Sequence, residues 1–98
     1  GLQHIAYLPL REGMLFVFKK PKIANFWMKD VHIPIDMIFI STDYVILKIV
    51  TRNDLRSIKT TQSDEPVSYV LEINGGLSKK LGIEVGNKIK IHKRTNSH

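Results

Sequence analysis

Five residues carry the side chains in this sequence that are best suited to bind or transform a polar ligand. They are Trp27, Lys29, Asp30, Asp36 and Glu72. The first four lie in the stretch FWMKDVHIPIDMIFI, and the glutamate lies inside the apolar run YVLEI. A carboxylate within a strand is paired, solvated or functional, because burying it unpaired is costly. An aromatic ring beside such groups suits a small polar or carbohydrate-like ligand, held without catalysis.

An enzymatic alternative uses two of the same carboxylates. Asp36 and Glu72 would act as the acid/base pair of a hydrolase or lyase, which requires two nearby carboxyl groups with unequal pKa values. A structural alternative also exists for Asp36, because an aspartate close to a proline often accepts backbone hydrogen bonds at a turn. The spacing of these residues fits a binding role, a catalytic role and a structural role equally.

A third alternative is weak nucleic-acid binding by the basic C-terminal strand. The net charge is +6, and the residues after position 87 include four basic and no acidic side chains: Lys88, Lys90, Lys93 and Arg94. The aromatic residues do not alternate with these lysines as they do in a surface that stacks bases. We therefore expect no specific nucleic-acid partner.

Several classes of site are excluded or disfavoured by composition and spacing. The chain has no cysteine, so it has no disulfide, thiolate metal site or cysteine nucleophile. The four histidines, at 4, 32, 92 and 98, do not show the spacing of a metal site. We expect no metal and no cofactor. No apolar run reaches the roughly 18 residues of a transmembrane helix.

The sequence predicts that short strands position these residues. GMLFVF at 13–18 is typical of a strand buried on both faces, and KKPK at 19–22 of a turn. ANFWM forms a second apolar run. Residues 33–36 predict a turn or bulge that leads into a central strand at 37–40. Ser41, Thr42 and Asp43 then connect this strand to YVILKIVTR as a hairpin.

The second half predicts a long loop, two strands and one helix. Residues 53–66 are polar without a sustained period, and SYVLEIN follows as a strand. Asn74 is placed to cap a helix from Gly75 to Leu81, with Gly82 as its left-handed stop. A turn at 86–87 leads to a last strand with Lys88 and Lys90 outward.

The elements together predict one mainly β domain over 1–98, with residues 93–98 as a disordered tail. The short connections favour a compact antiparallel β barrel or sandwich with one or two short helices. The predicted core consists of Phe16, Phe18, Phe26, Ile38, Phe39, Leu47, Leu71 and Ile89.

Three stretches of the chain resemble one known family. GLQHIAYLPLREGMLFVF, FWMKDVHIPIDMIFI and YVLEINGGLSKKLGIEVGNKI occur in the order and spacing of the domain-of-unknown-function family number 192. The resemblance covers nearly the whole chain and implies a small, mainly β domain, often exported in bacteria and archaea. The family motif falls on Phe26, Trp27, Met28, Lys29, Pro34, Asp36 and Glu72.

The chain departs from the family pattern at several positions. Asp30 replaces an asparagine, Ile5 an arginine, Asn87 an aspartate, and Tyr44 the glycine of the hairpin turn. The family pattern also begins one strand before Gly1. We therefore expect an unpaired sheet edge that invites pairing with a second copy of the chain.

These observations predict a noncatalytic binding module of the cell envelope for a small polar ligand or polysaccharide. The export location is what the resemblance implies.

Overall fold

The computed structural model describes residues 13–27, 33–53 and 60–91. Its elements are six strands and one short helix: β1 Gly13–Lys22, β2 Asn25–Trp27, β3 Ile35–Ile40, β4 Ile46–Arg52, β5 Thr60–Gln62, β6 Val67–Asn74 and α1 Leu77–Lys80. Within these ranges no helix is long and apolar enough to cross a membrane.

The described strands form two antiparallel sheets. The larger has the order β1-β6-β3-β4, and the smaller pairs β2 with β5. Phe26 of the small sheet packs edge-on against Phe16 and Phe39 of the large sheet, with ring centroids 5.1 and 6.4 Å apart. The predicted mainly β, antiparallel class is confirmed. The described strands do not close into a barrel, and their two packed sheets form a sandwich.

The large sheet has a different cover on each face. Its sheet-packed face carries Met37, Phe39 and Val70 and contacts the small sheet. Its helix-packed face carries Ile38, Ile40 and Ile73, which pack with Leu77 of α1 and with the segment after it. In the predicted core, Ile38 and Phe39 are fully buried, and the other six residues pack against these two clusters as half-buried side chains.

The predicted hairpin between β3 and β4 is confirmed. The backbone N–H of Tyr44 donates to the carbonyl of Ser41, and that of Ser41 donates to the carbonyl of Val45, both at 2.9 Å. Tyr44 has a φ of 64°, the left-handed conformation that favours glycine. The tyrosine therefore occupies a backbone position where the family pattern has glycine.

Three predictions, for residues 13–18, 19–22 and 53–66, were wrong in detail. β1 is not buried on both faces, because it is an edge strand whose Met14 and Val17 are 58% and 65% exposed. No turn separates KKPK from this strand, which continues to Lys22 through an irregular register. An edge strand tolerates Pro21 because its outer N–H groups need no ladder partner. The 53–66 segment contains β5, so it is not one continuous loop.

The bulge was predicted too early, because Asp36 already lies within β3 and the irregular register occurs between Phe39 and Ile40. Pro34 precedes this strand directly.

The helix is shorter than predicted and has a different cap. It covers Leu77–Lys80, with Gly76 rather than Asn74 at the N-cap position. Gly82 has a φ of 71°, as expected for the left-handed stop. Gly75 is required by close approach, because a Cβ there would lie 2.6 Å from the Cβ of Pro34.

Candidate functional site

Asp36 joins two strands to the helix. Its side chain points to the helix-packed face and is fully buried. One carboxylate oxygen accepts hydrogen bonds from the Thr51 hydroxyl at 2.6 Å and the Gly76 N–H at 3.0 Å. The other accepts from the N–H and the hydroxyl of Ser78, at 2.9 and 2.6 Å. All four donors therefore converge on one carboxylate.

The hydrogen bonds decide the protonation state of Asp36. Burial alone would raise its pKa, but the bonds from Ser78, Thr51 and the backbone outweigh it, and the pKa lies below the ordinary 3.8. The charged carboxylate thus satisfies two N–H groups at the start of α1, which no side chain within the helix caps. This is the chemistry of a structural acceptor rather than of a proton donor.

Two residues of this network, Thr51 and Ser78, were not anticipated. Thr51 lies directly opposite Asp36 in the β3–β4 register. The alternation of β4 placed Thr51 on the same face as Val45, Leu47 and Ile49, but no sequence feature marked it as a partner of Asp36. Ser78 is separated from Asp36 by 42 positions. A serine in the first turn of a short helix was the available signal.

Glu72 lies on the opposite face of the sheet from Asp36. In the β3–β6 register Asp36 pairs with Ile73, and Glu72 pairs with Met37. Successive residues of a strand point to opposite faces. Glu72 therefore faces the small sheet with Met37, and the structure does not bring the two carboxylates together.

Glu72 has a half-buried carboxylate with an altered pKa. Burial raises its pKa above the ordinary 4.5. Within the described ranges, no hydrogen bond or ion pair reaches this carboxylate. Its cross-strand neighbours are Met14 and Met37, so its immediate setting in the sheet is apolar.

The small sheet places the backbone of Trp27 at the same end of the molecule as Glu72. Arg52, which is buried, donates to the hydroxyl of Thr61 in β5, while the Lys48 ammonium donates to the carbonyl of Gln62 at 2.9 Å. β5 thus runs alongside β4, with its first residue nearest Arg52. Because Trp27 pairs with Thr60, its backbone lies at this end, where Glu72 also lies.

The remaining predicted site residues, Lys29 and Asp30, lie outside the described residues. Among the described residues, no group of three histidine or acidic side chains is arranged to hold a metal ion.

A second candidate surface lies at the opposite end of β4, beside the hairpin turn. A cavity of about 300 Å³ is lined by Tyr44, Lys88, Ile89, Lys90 and Ile91. The Tyr44 ring stacks on Tyr69 with centroids 5.1 Å apart, and the Tyr69 hydroxyl donates to that of Tyr44 at 3.2 Å. Tyr44 departs from the family pattern, but no feature of the sequence connects it with the two lysines.

The sequence pattern of one protein family, described as an uncharacterized ACR and designated DUF192, matches residues 1–91. The chain belongs to the DUF192 family. This membership agrees with the motifs FWMK, IPxD and VLE and with the mainly β fold. No curated protein matches the chain.

Two crystal structures are similar to this DUF192 chain. One is a protein of unknown function from Novosphingobium aromaticivorans, with 38% identity and a TM-score of 0.74 over 84% of this chain. The other is from Sinorhizobium meliloti and is described as a candidate transcription regulator, with 38% identity and a TM-score of 0.73 over 90% of this chain. The matches span 59% and 68% of those two proteins.

Proposed function

We propose that this DUF192 domain is a noncatalytic binding module for a small polar or carbohydrate-like ligand. The ligand contacts Glu72 at the end of the space between the two sheets. The observation that carries the proposal is the Glu72 carboxylate, which is half-buried and accepts no hydrogen bond from the described residues. A desolvated acceptor of this kind gains a partner when a ligand hydroxyl or amine reaches it.

Two further observations support this location. Arg52, which bonds Thr61 of β5, and the backbone of Trp27, which pairs with Thr60, lie at the same end. Asp36 is engaged by four donors on the opposite face, which leaves Glu72 without a second carboxylate from β3. A glycoside hydrolase with the usual pair of carboxylates would need such a partner at about 5 to 10 Å. Binding without catalysis is therefore the better-supported function.

The test is a thermal-shift screen with neutral oligosaccharides and small polar metabolites, followed by tryptophan fluorescence for any compound that stabilises the domain. Trp27 is the only tryptophan and gives a single reporter. Glu72→Gln should lose the shift, because the ligand hydroxyl loses a charged acceptor worth roughly 1.5 to 3 kcal/mol, which is at least about tenfold in affinity. Glu65→Gln changes an exposed side chain and is the matched control, so the ligand should still stabilise this variant.

Two results would overturn the proposal. One is the absence of any stabilising compound in the panel. The other is a ligand whose affinity is the same in the wild type and Glu72→Gln. Turnover of a bound sugar, abolished by Glu72→Gln, would establish the enzymatic alternative in its place.

A further inference from the structure

The cavity beside the hairpin turn is lined by one aromatic residue and two lysines. We infer that the surface formed by Tyr44, Lys88 and Lys90 is a second binding site, for an acidic sugar unit of a polysaccharide. The inference goes beyond the proposed function, because this surface is separate from Glu72. None of its five lining residues is acidic, so nothing in the lining repels an anion.

The backbone around this surface is held by hydrogen bonds. The N–H of Ile89 donates to the carbonyl of Tyr44 at 2.7 Å, and the N–H of Ile46 donates to the carbonyl of Asn87 at 2.9 Å. Lys88 also forms an isolated antiparallel bridge with Val45. The backbone of Lys88 is therefore held beside that of Tyr44, although 44 positions separate the two residues.

The side chains present complementary chemistry. Lys88 and Lys90 are exposed, whereas Ile89 between them packs into the helix-packed cluster. The Tyr44 side chain remains 38% exposed beside them. The C–H face of a pyranose packs on an aromatic ring, while its carboxylate or sulfate binds an ammonium group. The cavity volume is at the lower end of the range of about 300 to 1,000 Å³ for ligand pockets, which suits one ring.

Single-stranded nucleic acid fits this surface less well. A nucleic-acid track needs separate aromatic faces on which successive bases stack. Here the two tyrosines stack on each other with their planes 20° apart, so each covers one face of the other. Only Tyr44 lines the cavity. One ring and two charges match a single acidic sugar unit better than a run of bases.

Tyr44 also allows a clean substitution. Its left-handed φ of 64° is the conformation that glycine adopts without steric cost, so Tyr44→Gly removes the ring and leaves the turn unstrained. The melting temperature should change by a few degrees at most, because relief of backbone strain offsets the lost stacking. Binding should nevertheless be lost.

The experiment uses the full chain and isothermal titration with trigalacturonate, with neutral galactobiose and a dT oligonucleotide as comparison probes. Wild type should bind trigalacturonate more tightly than galactobiose. Lys88→Gln/Lys90→Gln should weaken that binding by about tenfold, since two exposed ion pairs are lost. Lys79→Gln/Lys80→Gln removes the same charge from exposed positions of α1 and should change it less than about twofold.

Equal losses in the two double variants would overturn the inference, because binding would then follow net charge alone. Tighter binding of the dT oligonucleotide, retention of trigalacturonate binding in Tyr44→Gly, or equal affinity for galactobiose in the Glu72→Gln background would also overturn it. Glu72→Gln should leave trigalacturonate binding unchanged. A failure of the Glu72 proposal is thereby distinguished from a failure of this one.

Discussion

At the scale of single residues, Asp36 illustrates how a motif carboxylate serves the fold. Asp36→Asn should destabilise the domain by ~1 to 3 kcal/mol, because a charged acceptor of four hydrogen bonds becomes a neutral amide. Urea denaturation measures the change. Asp64→Asn, which breaks the exposed ion pair with Lys48, should cost less than ~1 kcal/mol.

The pKa direction of Asp36 adds a pH dependence to this prediction. A lowered folded-state pKa stabilises the protein above the unfolded value of 3.8, and this contribution is lost as the pH falls through the folded value. The penalty of Asp36→Asn should therefore shrink in acid. If the melting temperature instead stays within a few degrees while ligand binding disappears, Asp36 is a site residue and not a structural one.

Glu72 predicts the opposite pH behaviour. Its raised folded-state pKa gives a stabilising contribution that is present below the unfolded value of 4.5 and is lost as the pH rises through the folded value. Glu72→Gln should therefore gain stability relative to wild type between about pH 4 and about pH 7. Denaturation curves at both pH values test this, with exposed Glu84→Gln as the control. If the difference in unfolding free energy between wild type and Glu72→Gln is the same at both pH values, burial does not raise the pKa of Glu72.

At the scale of elements, the junction between β6 and α1 depends on two glycines for different reasons. A Cβ at Gly75 would collide with Pro34, whereas Gly76 has open space but a φ of 85°. Gly75→Ala should cost ~1 to 3 kcal/mol through overpacking and also disturb the 2.9 Å bond from Gly75 N–H to the Pro34 carbonyl. Gly76→Ala should cost only ~1 to 2 kcal/mol from backbone strain. Chemical denaturation measures both variants. A Gly75→Ala penalty below ~1 kcal/mol, with an unchanged NMR signal for the backbone amide at position 75, would refute the collision.

At the scale of the whole molecule, stability depends on the core between the two sheets. Phe39 is fully buried there and touches Phe26 of the small sheet. Phe39→Ala should cost ~3 to 5 kcal/mol, from lost burial and the cavity left behind. Val17→Ala, at an exposed site, should stay within about 0.5 kcal/mol. If urea denaturation shows that Phe39→Ala lowers the unfolding free energy by less than ~1 kcal/mol, the core does not lie on the sheet face that carries Phe39.

The outer edge of β1 provides a prediction about association. Among the described strands none pairs with that edge, and Met14 and Val17 are exposed on β1. We propose that a second copy pairs there, because an unpaired apolar edge is a template for strand addition. Analytical ultracentrifugation should show a concentration-dependent dimer that Val17→Lys abolishes. Val85→Lys, at a site with similar exposure outside the sheet, should not affect it; a monomeric wild type would contradict the proposal.

Local order along the chain was predictable from the sequence. Alternating apolar residues identified β4 and β6, turn-forming residues identified the hairpin, and Gly82 marked the helix end, because these signals depend on neighbours within a few positions. The length of β1 and the presence of β5 were not predictable in the same way. An edge strand containing proline and a three-residue polar strand both lack a sustained period and form only through their pairing partners.

The roles of the carboxylates were decided by tertiary structure. In the sequence, Asp36 and Glu72 are both polar residues within apolar strands. In the structure, Asp36 pairs with Ile73 and Glu72 pairs with Met37, so the two carboxylates lie on opposite faces of the sheet. A register shift of one residue would reverse that outcome, and register depends on contacts between strands rather than on either strand alone. The same reason holds for Tyr44 and Lys88, which share a cavity only because the segment after α1 returns to the start of β4.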